Sequence, residues 1–175
     1  MKTNIKGIKI FKLQTHKDKR GFFVEMYKKK KLKDHDFVFH CLSFSKKKIL
    51  RGLHLQTRNS QAKLLTVVKG KIFDVMVDLR KNSKTFGKYF SIYLSDNSYS
   101  SVYIPAGFAH GFCTLANENL VYYCCSQYRD KKSEIGIIWN DSQINIKWPI
   151  AKPILSSKDS KNISLNDYLK ITKNA

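Results

Sequence analysis

Two histidines sit where an idle ionisable group would be expensive. His54 lies in Leu50-Arg51-Gly52-Leu53-His54-Leu55-Gln56, and His110 in Ile104-Pro105-Ala106-Gly107-Phe108-Ala109-His110-Gly111-Phe112. An ionisable side chain in an apolar strand costs desolvation energy unless it is paired or used. Imidazole titrates near neutrality, so either ring could take a proton from a substrate and return it. Two such rings framed by Gly, Leu and Phe read as a site lined from two strands, although an interior histidine bonded to backbone has the same local signature. A metal reading needs more ligands. Position 56 is Gln where a second histidine at i and i+2 would be wanted, and His110 has no His or Glu two residues away. Lys63 shares a strand face with Leu65 and Val67, so it is either used there or lies at a solvent-facing edge. Of the neighbours Tyr122 and Tyr123, alternation puts one on each face and cannot choose between them.

The elements that must position these residues are mostly strands. Residues 62–69 and 71–79 alternate in character, with Phe73, Val75, Val77 and Leu79 on one face and Asp74, Met76 and Asp78 on the other. With Gly70-Lys71 between them, the two runs predict a hairpin. Further strands are expected at 89–94, 101–104, 111–115 and 120–128, punctuated by Asp96-Asn97 and Pro105-Ala106-Gly107. Helical patterns cover only 26–33 and 164–171, the latter with Ser164 as its cap. Short strands at this spacing predict an antiparallel sandwich or barrel, and one β-rich domain over residues 1–175. On alternation His54 shares a face with Gly52 and Gln56, while Arg51 falls on the opposite face unless the strand bulges.

Composition narrows the class. The chain has 175 residues, 42% of them hydrophobic and 13% aromatic, which argues for a folded core rather than disorder. No apolar run is long enough to span a bilayer, so no membrane partner is expected. Residues 1–13 lack the pattern of a secretion signal. Cys41, Cys113, Cys124 and Cys125 show no CxxC spacing and are expected reduced, in the cytoplasm, with the adjacent pair on opposite strand faces. The net charge of +20 comes mostly from lysines spread along the whole chain. That spread argues against a nucleic-acid surface, while the positive field would still draw in an anionic substrate such as a diphosphate.

The order of motifs carries a resemblance. Arg20-Gly21-Phe22-Phe23-Val24-Glu25, then RGLHLQ from Arg51, Gln61-Ala62-Lys63-Leu64, Phe73-Asp74-Val75, Asp78-Leu79-Arg80, Thr85-Phe86-Gly87, the stretch around His110, Trp139-Asn140-Asp141 and Trp148-Pro149 resemble the dTDP-4-dehydrorhamnose 3,5-epimerase family. The likeness runs from about residue 8 to about residue 160. It implies an all-β, cupin-type jelly roll with a few short peripheral helices, a homodimer, and no metal or other cofactor. It implies an isomerase that inverts C3, C5 or both of a nucleotide-diphospho-4-keto sugar through an enolate, serving surface polysaccharide synthesis.

The resemblance also assigns roles. His54 matches the base and Asp159 the carboxylate that orients it. Lys63 matches the cation near the C4 oxygen, His110 a second polar group beside it, and Tyr123 the acid across the ring. Arg51 matches a diphosphate contact and Gln56 a substrate contact. Arg20, Phe23 and Glu25 match residues that hold the nucleotide from the partner subunit. This chain departs from the pattern at Phe39 and Cys41, usually Gln and Asn, at Cys124, usually Lys, and at Arg129, usually aromatic. Those departures point to altered contacts with nucleotide or sugar, for instance guanine or a 4-keto heptose. Rival readings are a sugar 3,4-ketoisomerase, which typically has a second His where this chain has Leu55-Gln56, and a sugar-nucleotide or nucleic-acid-binding β-barrel without catalysis.

Overall fold

The computed structural model describes residues 3–33 and 36–173. Twelve strands and one helix follow in order: β1 Lys9–Lys12, β2 Gln14–Asp18, β3 Gly21–Glu25, β4 Phe39–Lys46, β5 Leu50–Gln56, β6 Lys63–Lys69, β7 Lys71–Asp78, β8 Tyr89–Ser95, β9 Ser100–Ile104, β10 Phe108–Thr114, β11 Glu118–Cys125, β12 Glu134–Gly136 and α1 Leu165–Lys173. They form two five-stranded antiparallel sheets, β1-β9-β6-β11-β4 and β12-β5-β10-β7-β8, with β2 and β3 as a separate two-stranded arm. This all-β double sheet is the jelly roll that the resemblance implies.

The predicted hairpin is not one. β6 pairs with β9 and β11 in the first sheet, whereas β7 pairs with β10 and β8 in the second. Gly70 is a corner at which the chain passes from one sheet to the other. Its positive φ and the nearness of the Glu118 carbonyl, 2.3 Å from where a Cβ would sit, admit only glycine. The polar groups that would pair across a hairpin are taken elsewhere: Gly70 N–H donates to Asp96 Oδ2 and Lys71 N–H to Asn119 Oδ1. Two alternating runs joined by a glycine turn look alike in either arrangement, and only these distant acceptors tell them apart.

Apolar residues fill three zones. Leu65, Val67, Ile72, Met76, Val102 and Val121 meet between the sheets. Phe73, Val75, Val77 and Ala109 face the outer side of the second sheet, under Ile144, Ile146, Leu165 and Tyr168. So β7 is buried on both faces, and each aliphatic side chain sealed there stabilises the fold by about 2 kcal/mol. The outer side of the first sheet is covered by Leu32 and by Tyr27 and Phe37 over Leu64, Tyr103 and Cys124.

The two expected helices fare differently. Helix α1 forms, with the Ser164 hydroxyl accepting the Asp167 N–H at 3.1 Å and donating to its carboxylate at 2.7 Å. Over 26–33 only a single 3-10 turn, Lys29–Lys31, is present. On a helix Lys28 and Lys31, and Lys29 and Lys33, would stand one turn apart and repel, and the first turn has no acid, so the segment lies down as a cover strap instead. Among the described residues no helix is long and apolar enough to cross a membrane.

Candidate active site

His54 is placed by a bulge. His110 is paired with His54 and Phe112 with Arg51, so Gly52 and Leu53 together oppose Gly111. A Cβ on Gly52 would lie 2.5 Å from the Gly111 Cα, and Gly52 has φ of +125°. The extra residue resets the alternation, and Arg51 and His54 both line one cavity of about 590 Å³. Of the two possibilities for Arg51, the bulge is the one that occurs.

The His54 ring meets Asp159, with Nε2 2.5 Å from Oδ1. Asp159 comes from a 3-10 turn, Asp159–Lys161, a hundred and five residues further on. Burial would raise its carboxyl. The His54 hydrogen bond and charge, the Ser156 hydroxyl and the Gly52 backbone outweigh burial and hold it below the usual aspartate range. An ionised Asp159 fixes the proton on Nε2, which leaves the Nδ1 lone pair free to accept one.

His110, register partner of His54, has its own carboxylate. Its Nε2 lies 2.7 Å from Asp74 Oδ1, and both side chains are buried. The other Asp74 oxygen has no hydrogen-bond partner. Sequence reasoning named His110 but not Asp74. The signal was present, because an acid between Phe73 and Val75 on a strand buried on both sides has to be accounted for.

Across the cavity, from the other sheet, come Lys63 on β6 and Tyr123 on β11. Desolvation pushes the Lys63 ammonium down from the usual lysine value, with Cys125, Glu134 and Asp74 pulling the other way. No hydrogen bond or ion pair of its side chain is found among the described residues. Burial raises the Tyr123 phenol to about 12, so it stays protonated. Tyr122 faces the other way, with its hydroxyl 2.7 Å from His40 Nδ1. The arrangement puts an imidazole on one sheet and a phenol and an ammonium on the other, all lining one cavity.

The remaining candidates divide. Arg51 lines the cavity, its Nε donating to Ser45 Oγ at 2.9 Å and Nη2 to the Phe44 carbonyl at 3.1 Å. Gln56 also lines it, but its amide is committed to backbone, donating to the Asn59 carbonyl at 2.9 Å and accepting from Asp130 N–H at 3.0 Å. Arg20, Phe23 and Glu25 lie on the arm and do not line this cavity. Arg20 pairs with Asp18 and Glu25 with Lys28. Phe39, Cys41 and Arg129 do line it, whereas Cys124 packs on the outer side of its sheet, so that departure cannot alter a contact in this cavity.

Comparison with known proteins adds an independent line. The family model described as dTDP-4-dehydrorhamnose 3,5-epimerase matches residues 2–167. A dTDP-4-dehydrorhamnose 3,5-epimerase of Shigella flexneri is 42% identical over 165 residues, covering 91% of each chain. One of Neisseria gonorrhoeae is 44% identical over 162 residues, 90% of this chain, which spans about half (49%) of that protein's length. The crystal structure of a dTDP-6-deoxy-D-glucose-3,5-epimerase from Legionella pneumophila, in complex with dTDP-4-keto-L-rhamnose, superposes with a TM-score of 0.91 at 38% identity, over 94% of this chain and 90% of the other.

Proposed function

The chain belongs to the dTDP-4-dehydrorhamnose 3,5-epimerase family and is an isomerase, and from that premise we propose how its own residues invert carbon centres beside the ketone of a dTDP-linked 4-keto-6-deoxy sugar. The ketone acidifies the hydrogens on C3 and C5. Nδ1 of His54 takes one of them while Asp159 stabilises the imidazolium that forms. The electron pair moves onto the C4 oxygen, where the Lys63 ammonium balances the new charge and His110 stands nearby. Tyr123 then gives its phenolic proton to the opposite face of the same carbon, which inverts it. Redox change is zero, because a proton leaves and a proton returns, and exchange with solvent then discharges the imidazolium and reprotonates the phenolate.

One observation carries the reading: His54, Asp159, Lys63 and Tyr123 line a single cavity, with the base on one sheet and the acid on the other. A ketoisomerase would instead have to carry the C3 proton to C4 while the hydroxyl proton passes between the oxygens, for which a second histidine beside His54 would serve. Position 56 is Gln, and its amide is already engaged.

Assembly belongs to the same proposal. Phe22 and Phe23 on the arm, and Leu42 and Phe44 on the edge strand β4, are exposed apolar side chains. That supports a homodimer in which the arm brings Arg20, Phe23 and Glu25 to the cavity of the partner. The protein would work as one cytoplasmic domain in surface polysaccharide synthesis, binding neither nucleic acid nor membrane.

The test is a panel of dTDP-, GDP- and CDP-linked 4-keto sugars in deuterated water, read by NMR. The expected result is deuterium at inverted C3, C5 or both, with the dTDP sugar preferred. A migrated carbonyl would overturn the epimerase reading. Preference for a GDP-linked 4-keto heptose would overturn the nucleotide assignment alone.

A further inference from the structure

We propose that Arg129 is a second diphosphate-binding residue, held ready in the cavity that Arg51 also lines and aimed by Glu134 and Gln56. The proposal rests on the reading of the cavity as a nucleotide-sugar site.

The two arginines are held in the same way. Arg51 spends Nε on Ser45 Oγ and Nη2 on the Phe44 carbonyl. Arg129 spends Nε on Glu134 Oε2 at 2.7 Å and Nη2 on Glu134 Oε1 at 3.1 Å. In each case one edge of the guanidinium is fastened to protein. The Nη1 end makes no hydrogen bond among the described residues, and both side chains line the same cavity. Both charges also act on the Tyr123 phenol, drawing it down against the dominant effect of burial. Each therefore lies within electrostatic reach of Tyr123, from its own part of the cavity wall.

Glu134 is built for the task. Its carboxylate is only 8% exposed and binds Lys158 as well as Arg129. Burial would raise its carboxyl, but the two cations bring it to about 2, so it is ionised at any working pH. One carboxylate between two cations leaves a net positive charge at the cavity rim, and with Arg51 that matches the charge of a diphosphate.

The backbone at Arg129 is fixed too. Gln56 Oε1 accepts the Asp130 N–H at 3.0 Å, and Nε2 lies 3.4 Å from the Tyr128 carbonyl. Gln56 therefore grips the chain on both sides of Arg129, and it is the register partner of Glu134. A guanidinium already held in place loses little freedom when an oxyanion arrives, and its planar end fits phosphate oxygens.

The chemistry recognised is a pair of adjacent phosphates, so the discriminating probes are thymidine diphosphate and thymidine monophosphate. Their affinities for the intact protein and for Arg129→Ala would be measured by calorimetry at fixed ionic strength. Arg129→Ala should weaken the diphosphate by about 10- to 100-fold, the usual effect of losing a charge-assisted hydrogen bond. The monophosphate should change by less than about 3-fold, since Arg51 alone can serve one phosphate. Arg129→Lys, which keeps the charge without the fork, should fall between. Equal weakening of both nucleotides, an unchanged diphosphate affinity, or no diphosphate binding by the intact protein would overturn the proposal. If Arg129→Ala leaves Glu134 too poorly paired to fold, Arg129→Lys and Arg129→Gln take its place, and an unchanged ratio of the two affinities in both overturns it. Deuterium exchange on the intact protein is read separately. An Arg129-dependent preference for diphosphate without exchange would remove the epimerase reading and leave Arg129 in place.

Discussion

His54–Asp159 and His110–Asp74 are the same pair of side chains built twice, on neighbouring strands and in direct register. What separates them is access. The His54 side chain is 30% exposed, and its carboxylate is also drawn down by the Ser156 hydroxyl and the Gly52 backbone. The His110 side chain is 8% exposed and Asp74 is fully sealed, with one oxygen unpartnered. A ring that must collect a proton from carbon needs an open nitrogen and a carboxylate already satisfied. A ring that only has to hold a dipole still can be closed in, and its partner can be left short of hydrogen bonds. On the proposed mechanism the open pair serves turnover and the sealed pair holds its ring rigid.

Exchanging the two histidines, one at a time, is the sharpest way to break this contrast. His54→Asn should lower deuterium exchange by roughly 10²–10⁴-fold with melting almost unchanged. His110→Asn should cost stability, by about 1–3 kcal/mol, because it strips a buried acid of its one donor. Exchange lost in His110→Asn at full stability would reverse the two roles.

Lys63→Ala comes next and should reduce turnover by about 10²–10³-fold, as for other oxyanion partners. Tyr123→Phe should impair inversion by more than it impairs exchange, since His54 alone can remove a hydrogen and put deuterium back on the same face. Equal loss in both assays would take the acid role from Tyr123.

The pH profile offers a smaller effect. The proposed mechanism needs Lys63 charged, and its pKa is lowered, so rate should fall as pH rises through that depressed value, before the phenol titrates near 12. The alkaline limb should therefore survive in Tyr123→Phe. The smallest effect concerns stability in acid. Asp159 has a lowered pKa in the folded state, so it contributes stability above the ordinary aspartate range, and the contribution is lost as pH falls through the lowered value. His54→Asn removes most of its cause, so the melting difference between the two proteins should shrink on acidification.

Much of this site was readable from the chain alone. Alternation found the strands, and the cost of burying imidazole found both histidines. Asp159 could not be found that way, because it lies among polar residues in a turn and meets His54 only through the fold. The phase of Arg51 was ambiguous for the same reason: a bulge is set by two glycines meeting across strands, and neither glycine announces its partner. The mistaken hairpin at Gly70 shows the limit most clearly. Local pattern gives the direction of each strand, while the choice of neighbour is made by Asn119 and Asp96 from far along the sequence.

That corner has a mechanical consequence. It ties the two sheets together close to Glu118 and Asn119, and residues 105–107 tie them again at the other end, between Ile104, the register partner of Lys63, and Phe108. The spacing between the walls that carry Tyr123 and His54 is thus held by covalent chain at both ends of β6 and β7. On the proposed mechanism a pyranose must match that width on arrival, and one lying too thick or too thin between the sheets will meet only one of the two groups.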